Sequence, residues 1–456
     1  MNRNIQVSTS KQPEQGEGDQ LCDGIFGINK FMIQHESLSK KLLSQRLMFL
    51  SQLKKIPEPS KKDKMWRKSK IDQFTPEKFK LLPDEQFPKN ELIEDEISTI
   101  GQDDFAGSIQ ITPENISAKL DEKLVKLGVI LTDLRTAETK YSQILEKIMG
   151  KIVTSRDNKF STLTLAKPQF GTILYLPKGI KIEKPIQARF IWRGSGFLHT
   201  YYSLILLEDN SFVTVIQEFD GKGLNRSENA FSRVMEIQIG RKATLNYTEV
   251  NTFDKLWWNL ADEYSKVLQG GKINWAVFSD GSYYSKTFLG VNLAGKESKA
   301  KITGVLIPSG ETQIDFDTFQ KHSVPHTTSD LLFRNAMADQ ARSNWSGMIK
   351  VEGDSVKADG YQSHQSLLLC GQPHVESNPG LEILTDDVKC SHDVTVGDID
   401  EDQIFYLKTR GIPESQARQF IAEGFLESSL VRIEDKMSKD LIRERIQHDL
   451  SRLHCQ

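Results

Sequence analysis

The chain has 456 residues, enough for two or three domains at roughly 100–200 residues each. A formal charge of −3, from 59 Lys and Arg against 62 Asp and Glu, removes any whole-protein case for a nucleic-acid partner. No run of about 18 apolar residues occurs, so no membrane span is expected.

The N-terminus, MNRNIQVSTSKQPEQGEGDQ, has no apolar stretch for a secretory signal and is too acidic for a transit peptide. Residues 1–20 read as a disordered tail. Cysteines stand only at 22, 370, 390 and 455, with no CxxC pair. That predicts no disulfide framework and a reducing, cytoplasmic setting.

Residues 21–159 read as a mainly helical region. From Ile25 to Lys55 the spacing of Phe31, Leu38, Leu42, Leu47, Phe49, Leu50 and Leu53 suits helix, and Pro57 and Pro59 end it. A basic run (54–70) precedes an acidic one (84–104), and both read first as solvated surface. Trp66 within the basic run reads as a packing anchor. Ile116 to Met149 is expected to be mostly helix, interrupted near Gly128 by the extended-looking VILTDL. Asp133 is placed to cap the last piece, whose stripe is Leu134, Ala137, Tyr141, Ile144, Leu145 and Ile148.

At about Phe160 the pattern changes. Between Ser161 and Asp400 lie 20 of the 30 glycines, and short apolar alternations such as TILYLPKGIKI, SFVTVIQEF and WSGMIKVEG follow one another across turns. Residues 160–399 are too long for one ordinary sandwich and too continuous for strand–helix units, so stacked strands in a solenoid fit best. Without a strict repeat, a barrel or paired sandwiches stay open on pattern alone. Residues 400–456 return to helix. Asp400-Glu401-Asp402 supplies a cap and acidic first turn and Gly411 a stop; Pro413 starts a second helix, and Lys439–Leu453 forms another.

Several stretches carry candidate chemistry. Gly290 to Lys296 opens like a P-loop, but Glu297 stands where a Ser or Thr is needed, so a strand and turn are expected and no ATP site in this chain. His322 and His326 flank Pro325, which argues against a shared helical face and for turn histidines. Cys370 and His374 lack the paired spacing of zinc modules, and Cys370 reads as a small hydrophobe ending a strand. Cys390 and His392 are the better pair. Two apart in the extended stretch after Leu381, Ile383 and Val388 and before Val394 and Val396, they project from one face, and the apolar positions would point into a core. Thiolate and imidazole suit zinc, iron or an iron–sulfur cluster, and a Cys–His nucleophile is the enzymatic alternative. Two ligands do not close a four-coordinate site. On the residues alone, a buried thiol and a satisfied imidazole is the simpler reading.

The segment Leu381–Ile412, LEILTDDVKCSHDVTVGDIDEDQIFYLKTRGI, resembles the C-terminal signature of the SufB/SufD family, scaffold components of iron–sulfur cluster assembly. The resemblance extends to Phe160–Ala166, GTILYLPKGIKIEKPI (171–186), DTFQKHSVPHTTS (317–329), ADGYQSHQSLLL (358–369) and Arg46–Trp66. VKCSH and Phe405–Ile412 look like the SufD form. The resemblance implies a mainly β fold, a right-handed parallel β-helix core between N- and C-terminal helical domains. It implies a non-catalytic scaffold that pairs with a SufB-like subunit and binds a SufC ATPase through its C-terminal helices. It also implies a transient iron–sulfur cluster at the subunit interface, with His392 as candidate ligand and Cys390 as ligand or interface residue. Three positions depart from the family pattern: Asp393 for Gly, Thr164 for Asn and Cys370 for Ser. A metal- or thiol-dependent enzyme using Cys390 and His392, and a purely structural solenoid, are the rival readings.

Overall fold

The structure is a computed structural model, and it describes residues 33, 38–82, 104–153, 158–224 and 226–453. The expected disordered tail, most of the acidic run, Cys22 and Cys455 lie outside the described residues.

Before the core come α1 (Lys40–Leu53), β1 (Lys80–Leu81), β2 (Gly107–Ile111), β3 (Ile116–Leu120), α2 (Glu122–Lys126), β4 (Ile130–Asp133), α3 (Leu134–Lys140), α4 (Ser142–Ile148) and α5 (Lys159–Ala166). The core strands are β5 (Phe170–Leu176), β6 (Ile186–Gly194), β7 (Phe197–Leu207), β8 (Phe212–Gly223), β9 (Asn229–Ile239), β10 (Thr244–Phe253), β11 (Trp257–Val267) and β12 (Lys272–Ser279). They continue as β13 (Tyr284–Leu293), β14 (Lys299–Leu306), β15 (Gln313–His322), β16 (Thr328–Asp339), β17 (Arg342–Val351), β18 (Asp359–Gly371), β19 (His374–Ile383) and β20 (Lys389–Asp398). Three helices follow: α6 (Glu401–Thr409), α7 (Glu414–Leu430) and α8 (Lys436–Ser451).

From β5 onward odd strands pair only with odd strands and even with even, all parallel, so the chain winds through two facing sheets as a parallel β-solenoid of about eight turns. Each turn buries its inward side chains on those of the next. One such row runs Val213, Leu245, Ile273, Ala300, Ser329, Gly360 and Cys390. From Leu245 onward its members stand between 27 and 31 residues apart, and these unequal intervals hide the repeat from the sequence.

The two ends differ. At the first turn β2 pairs with β6, β3 runs antiparallel to β2, and β4 runs antiparallel to β5. The last turn, β19 and β20, forms the outer edge of both sheets. Leu381, Ile383, Val394 and Val396 do continue inward rows, but they remain 37% to 47% exposed. The sequence places them in a core; alternation sets which way a side chain points, and among the described residues no further turn covers it.

The outer face of the odd sheet carries the N-terminal region: Leu42, Phe49, Leu145 and Phe160 pack with Tyr202, Val234 and Trp258. Trp66 meets Phe160 and Phe288 edge-on, as expected of an anchor. Asp133 caps α3, accepting from Thr136 N at 3.0 Å. Two expectations are corrected. Ile116–Leu120 is strand, held by pairing to β2, and 159–166 is a fully buried helix whose Asn158 cap overrides the strand-like TLTL alternation. The even sheet carries α7 and α8, whose Ala417, Leu426, Ile442 and Ile446 cover Ile216, Val250, Phe278 and Val305. Gly290–Lys296 is the end of β13 and a turn, as its sequence predicts.

His199, His322 and His364 are fully buried, and desolvation lowers their pKa values to about 3, 4 and 4. Folding therefore favours their neutral forms, and that contribution, complete above about pH 6.5, is lost as pH falls toward 4. Removing one such group is expected to flatten the acid limb of stability by up to about 1.4 kcal/mol per pH unit. Calorimetry of His364→Gln against the parent between pH 6.5 and 4.5 reads this directly. Parallel Tm–pH curves would refute it.

Candidate functional site

Cys390 and His392 lie on β20, the exposed edge of the even sheet. Parallel pairing sets Cys390 beside Gly360 and His392 beside Gln362. His392 ends its own inward row, Val215, Tyr247, Trp275, Ile302, Leu331, Gln362, His392. Both candidate ligands thus project on the inward side of the open last turn, about 6.6 Å apart along the strand.

Their surroundings differ. Cys390 packs with Val388 against Ile349, Val351 and Ala358. Gly360 makes that approach possible: a Cβ there would lie 3.4 Å from Cys390 Sγ, 3.2 Å from His322 Nε2 and 3.1 Å from Ile349. Burial pushes the Cys390 thiol up, the Gly360 backbone N–H pulls it down, and the Asp359 charge pushes it up again. A thiol held protonated is a poor nucleophile, and it becomes a ligand when a metal displaces its proton. His392 is exposed. Asp393, the departure beside it, points to the other face, where its Oδ2 accepts from Ser363 Oγ at 3.3 Å. Its carboxylate therefore points away from the site.

Beneath His392 the preceding turn is tightly tied. Gln362 donates to Gly380 O at 3.1 Å, and its Oε1 is buried without a partner among the described residues. His364 accepts at Nε2 from Asn335 Nδ2 (2.9 Å), contacts Ser377 Oγ through Nδ1 (2.6 Å) and stacks on Trp345. Gln362 and His364 lie in the quoted ADGYQSHQSLLL stretch, yet the sequence offers no signal for their roles, because only the register of β18 against β20 brings them under the site.

Other candidates lie elsewhere. His322 is not a turn residue: it ends β15, is fully buried, and contacts Thr327 Oγ1 at 2.7 Å and Ser329 Oγ at 2.9 Å. His326 is exposed in the turn, with φ +60°. Cys370 sits at the far end of β18 and is disulfide-bonded, where the sequence predicts a plain buried thiol. Ten strand residues, about 33 Å, separate it from Gly360, so Cys370 and His374 do not join Cys390 and His392. Among the described residues no group of three or more His, Cys, Asp or Glu is placed to hold a metal. No described helix is long and apolar enough to cross a membrane.

Comparison with known proteins gives the family. Residues 190–425 match the SufBD core domain of SUF-system FeS cluster assembly, and residues 23–188 match the SufBD N-terminal region. The iron–sulfur cluster assembly protein SufD of Bacillus subtilis is 30% identical over 319 residues, which cover 69% of this chain and 72% of that protein. SufBD family proteins of Staphylococcus saprophyticus and Staphylococcus aureus are 25% identical over 324 residues, covering 70% of this chain and 69% of theirs. With a core match across more than half its length, a span that includes the strand bearing Cys390 and His392, the chain belongs to the SufBD family of iron–sulfur cluster assembly proteins.

Proposed function

We propose that this chain is a SufD-like scaffold subunit, without turnover of its own, and that its open last turn pairs with a SufB-like partner to form a shared cluster-assembly site. The observation that carries this reading is the edge itself. Among the described residues β20 offers an unpaired row of backbone groups, flanked by exposed Val394, Val396, Leu381 and Ile383, beside two side chains suited to iron. In this reading His392 is the accessible ligand, and Cys390 is a second ligand or an interface residue. The remaining ligands come from the partner, and the transient cluster is the product under assembly. The raised Cys390 thiol weighs against the rival reading of a Cys–His nucleophile.

Exposed Phe405 and Tyr406 on α6 and Phe420 on α7 form the surface we assign to a SufC-type ATPase, which would supply the nucleotide chemistry. The solenoid is taken as right-handed, the hand that parallel crossover connections overwhelmingly adopt.

Anaerobic co-expression with SufB-like and SufC-like subunits tests the reading through subunit, iron and sulfide stoichiometry. A stable complex carrying cluster is expected. The isolated chain binding a full cluster as a monomer would count decisively against it. Val394→Asp with Val396→Asp, which buries charge at the pairing edge, is expected to weaken the heterodimer by about 100-fold or more.

A further inference from the structure

The basic run of the sequence has no part in the site described so far. Between Lys54 and Asp72 stand eight lysines and arginines against three carboxylates. Each carboxylate is already engaged: Glu58 with Lys159, Asp72 with Lys61 (2.9 Å), and Asp63 through Oδ1, which accepts from Met65 N at 3.0 Å. Lys62, Lys64 and Arg67 are exposed and make no ion pair or side-chain hydrogen bond among the described residues. The segment that carries them is pinned down. Trp66 is buried against Phe160 and Phe288, Ser69 Oγ donates to Trp66 O at 2.6 Å, and Ile71 is buried beyond it.

The position of this segment on the solenoid gives its charge a use. Gln313, at the start of β15, donates to Lys68 O at 2.9 Å, and Lys68 Nζ reaches Glu376 on β19, the last odd strand. Arg342 opens β17 between them, exposed and likewise without an ion pair among the described residues. Strands stand about 4.8 Å apart, so these cations lie within about 10 Å of the open edge, one Debye length at 0.1 M salt. Nearby carboxylates do not cancel them. Glu376 is taken by Lys68, and Glu311 faces Lys70, whose pKa is lowered by burial and further by the Arg342 charge, with Glu311 opposing. Asp386 and Asp387 follow the other end of β19, about 33 Å along the strand. The acidic run of the chain is tethered elsewhere: on its two sides β1 pairs with β7 and β2 with β6, about six strand spacings, or roughly 29 Å, from the last turn. Among the described residues no exposed large apolar side chain stands between 54 and 72, so the surface suits a charged partner and not an apolar one.

We propose that Lys62, Lys64, Arg67 and Arg342 form an electropositive shoulder of the pairing edge, which receives an acidic surface of the protein seated on the last turn. The inference rests on the reading of that turn as the seat of a SufB-like partner, and adds the charge that partner presents. Cations beside an interface act chiefly on encounter: they speed association and orient the partner before the apolar edge closes, with little effect on dissociation.

The test is association of the full chain with the SufB-like subunit of the same SUF system, followed by biolayer interferometry at low, physiological and high salt. Lys64→Glu with Arg67→Glu is expected to slow association roughly 10-fold at physiological salt, and Arg342→Glu about 3-fold, each with a flatter salt dependence and a dissociation rate within about twofold of the parent's. These side chains are exposed and unpaired among the described residues, so folding should be untouched, as Tm will check. Lys272→Glu with Lys299→Glu makes the same charge change at exposed even-strand starts and should associate as the parent does. Parental rates and salt dependence in both shoulder variants overturn the shoulder and leave the partner reading standing. Equal slowing in the Lys272–Lys299 variant overturns it as well, as does faster association by the shoulder variants, the sign of a basic partner surface or of cover by this chain's own acidic run. A parent that forms no complex overturns the shoulder and the partner reading together.

Discussion

His392→Ala is expected to lower cluster build-up on the assembled complex by roughly 10- to 100-fold while the subunits still purify together. The imidazole is exposed at the end of its row, so its removal opens no internal cavity and should change stability by no more than about 0.5 kcal/mol. On the proposed reading, what is lost is an exposed imidazole ligand on the inward side of the last turn. Iron and sulfide content after anaerobic assembly gives the readout, with subunit ratio as the control. Parental iron content in the variant would remove His392 from the site. Cys390→Ser separates two roles for the neighbouring thiol. Reduced cluster with an intact complex marks a ligand, whereas a complex that falls apart marks an interface residue, since Cys390 also packs against Ile349 and Val351.

Arg233→Met is expected to destabilise the fold by about 3–5 kcal/mol, the largest single-residue effect on stability predicted for the solenoid interior. Arg233 is buried between the sheets, bonded to Glu263 (2.5 Å), Glu249, Asn251 (2.8 Å) and Asn259 (3.1 Å), with its guanidinium over Phe219. Methionine keeps much of the volume and strands two buried carboxylates, whose desolvation then has no compensating charge. For a chain of 456 residues unfolding as one unit, a Tm fall of about 3–5 °C corresponds to such a loss. Combining Arg233→Met with Glu249→Gln and Glu263→Gln should recover much of it, because the cost lies in unpaired charge and not in lost packing. A triple variant no more stable than the single one would refute that account.

Much of this arrangement is legible in the chain and some is not, for identifiable reasons. Turn-bounded apolar alternation marks the strands, and local caps such as Asp133 and Asp400 mark helix starts, because both are short-range effects. The helix at 159–166 is not legible. Its alternating TLTL reads as strand, and the Asn158 cap together with burial on every side lets helix win there. Alternation also cannot tell a covered turn from an uncovered one, so Val394 and Val396 read as core until the strand order of the described residues shows none beyond β20. The Cys390–His392 pair is visible from spacing. Its setting over Gly360, Gln362 and His364 is not, since it depends on pairing between residues 30 positions apart. The Arg233 cluster likewise joins three strands and leaves no local trace.

The uncovered last turn has a consequence for how the protein is made. Translation delivers the solenoid from its first turn, so β19 and β20 leave the ribosome after every turn they stack on. Domains fold largely in order of synthesis, at about 5–20 residues per second. The adhesive edge therefore exists only once the rest of the scaffold is in place to hold it. At those rates, α6 to α8 follow within about 3–12 seconds. A nascent chain interrupted upstream would present other, mid-solenoid edges that lack Cys390 and His392. On the proposed reading, order of synthesis thus acts as a filter on partner choice, because only chains that have completed the last turn present the pairing edge.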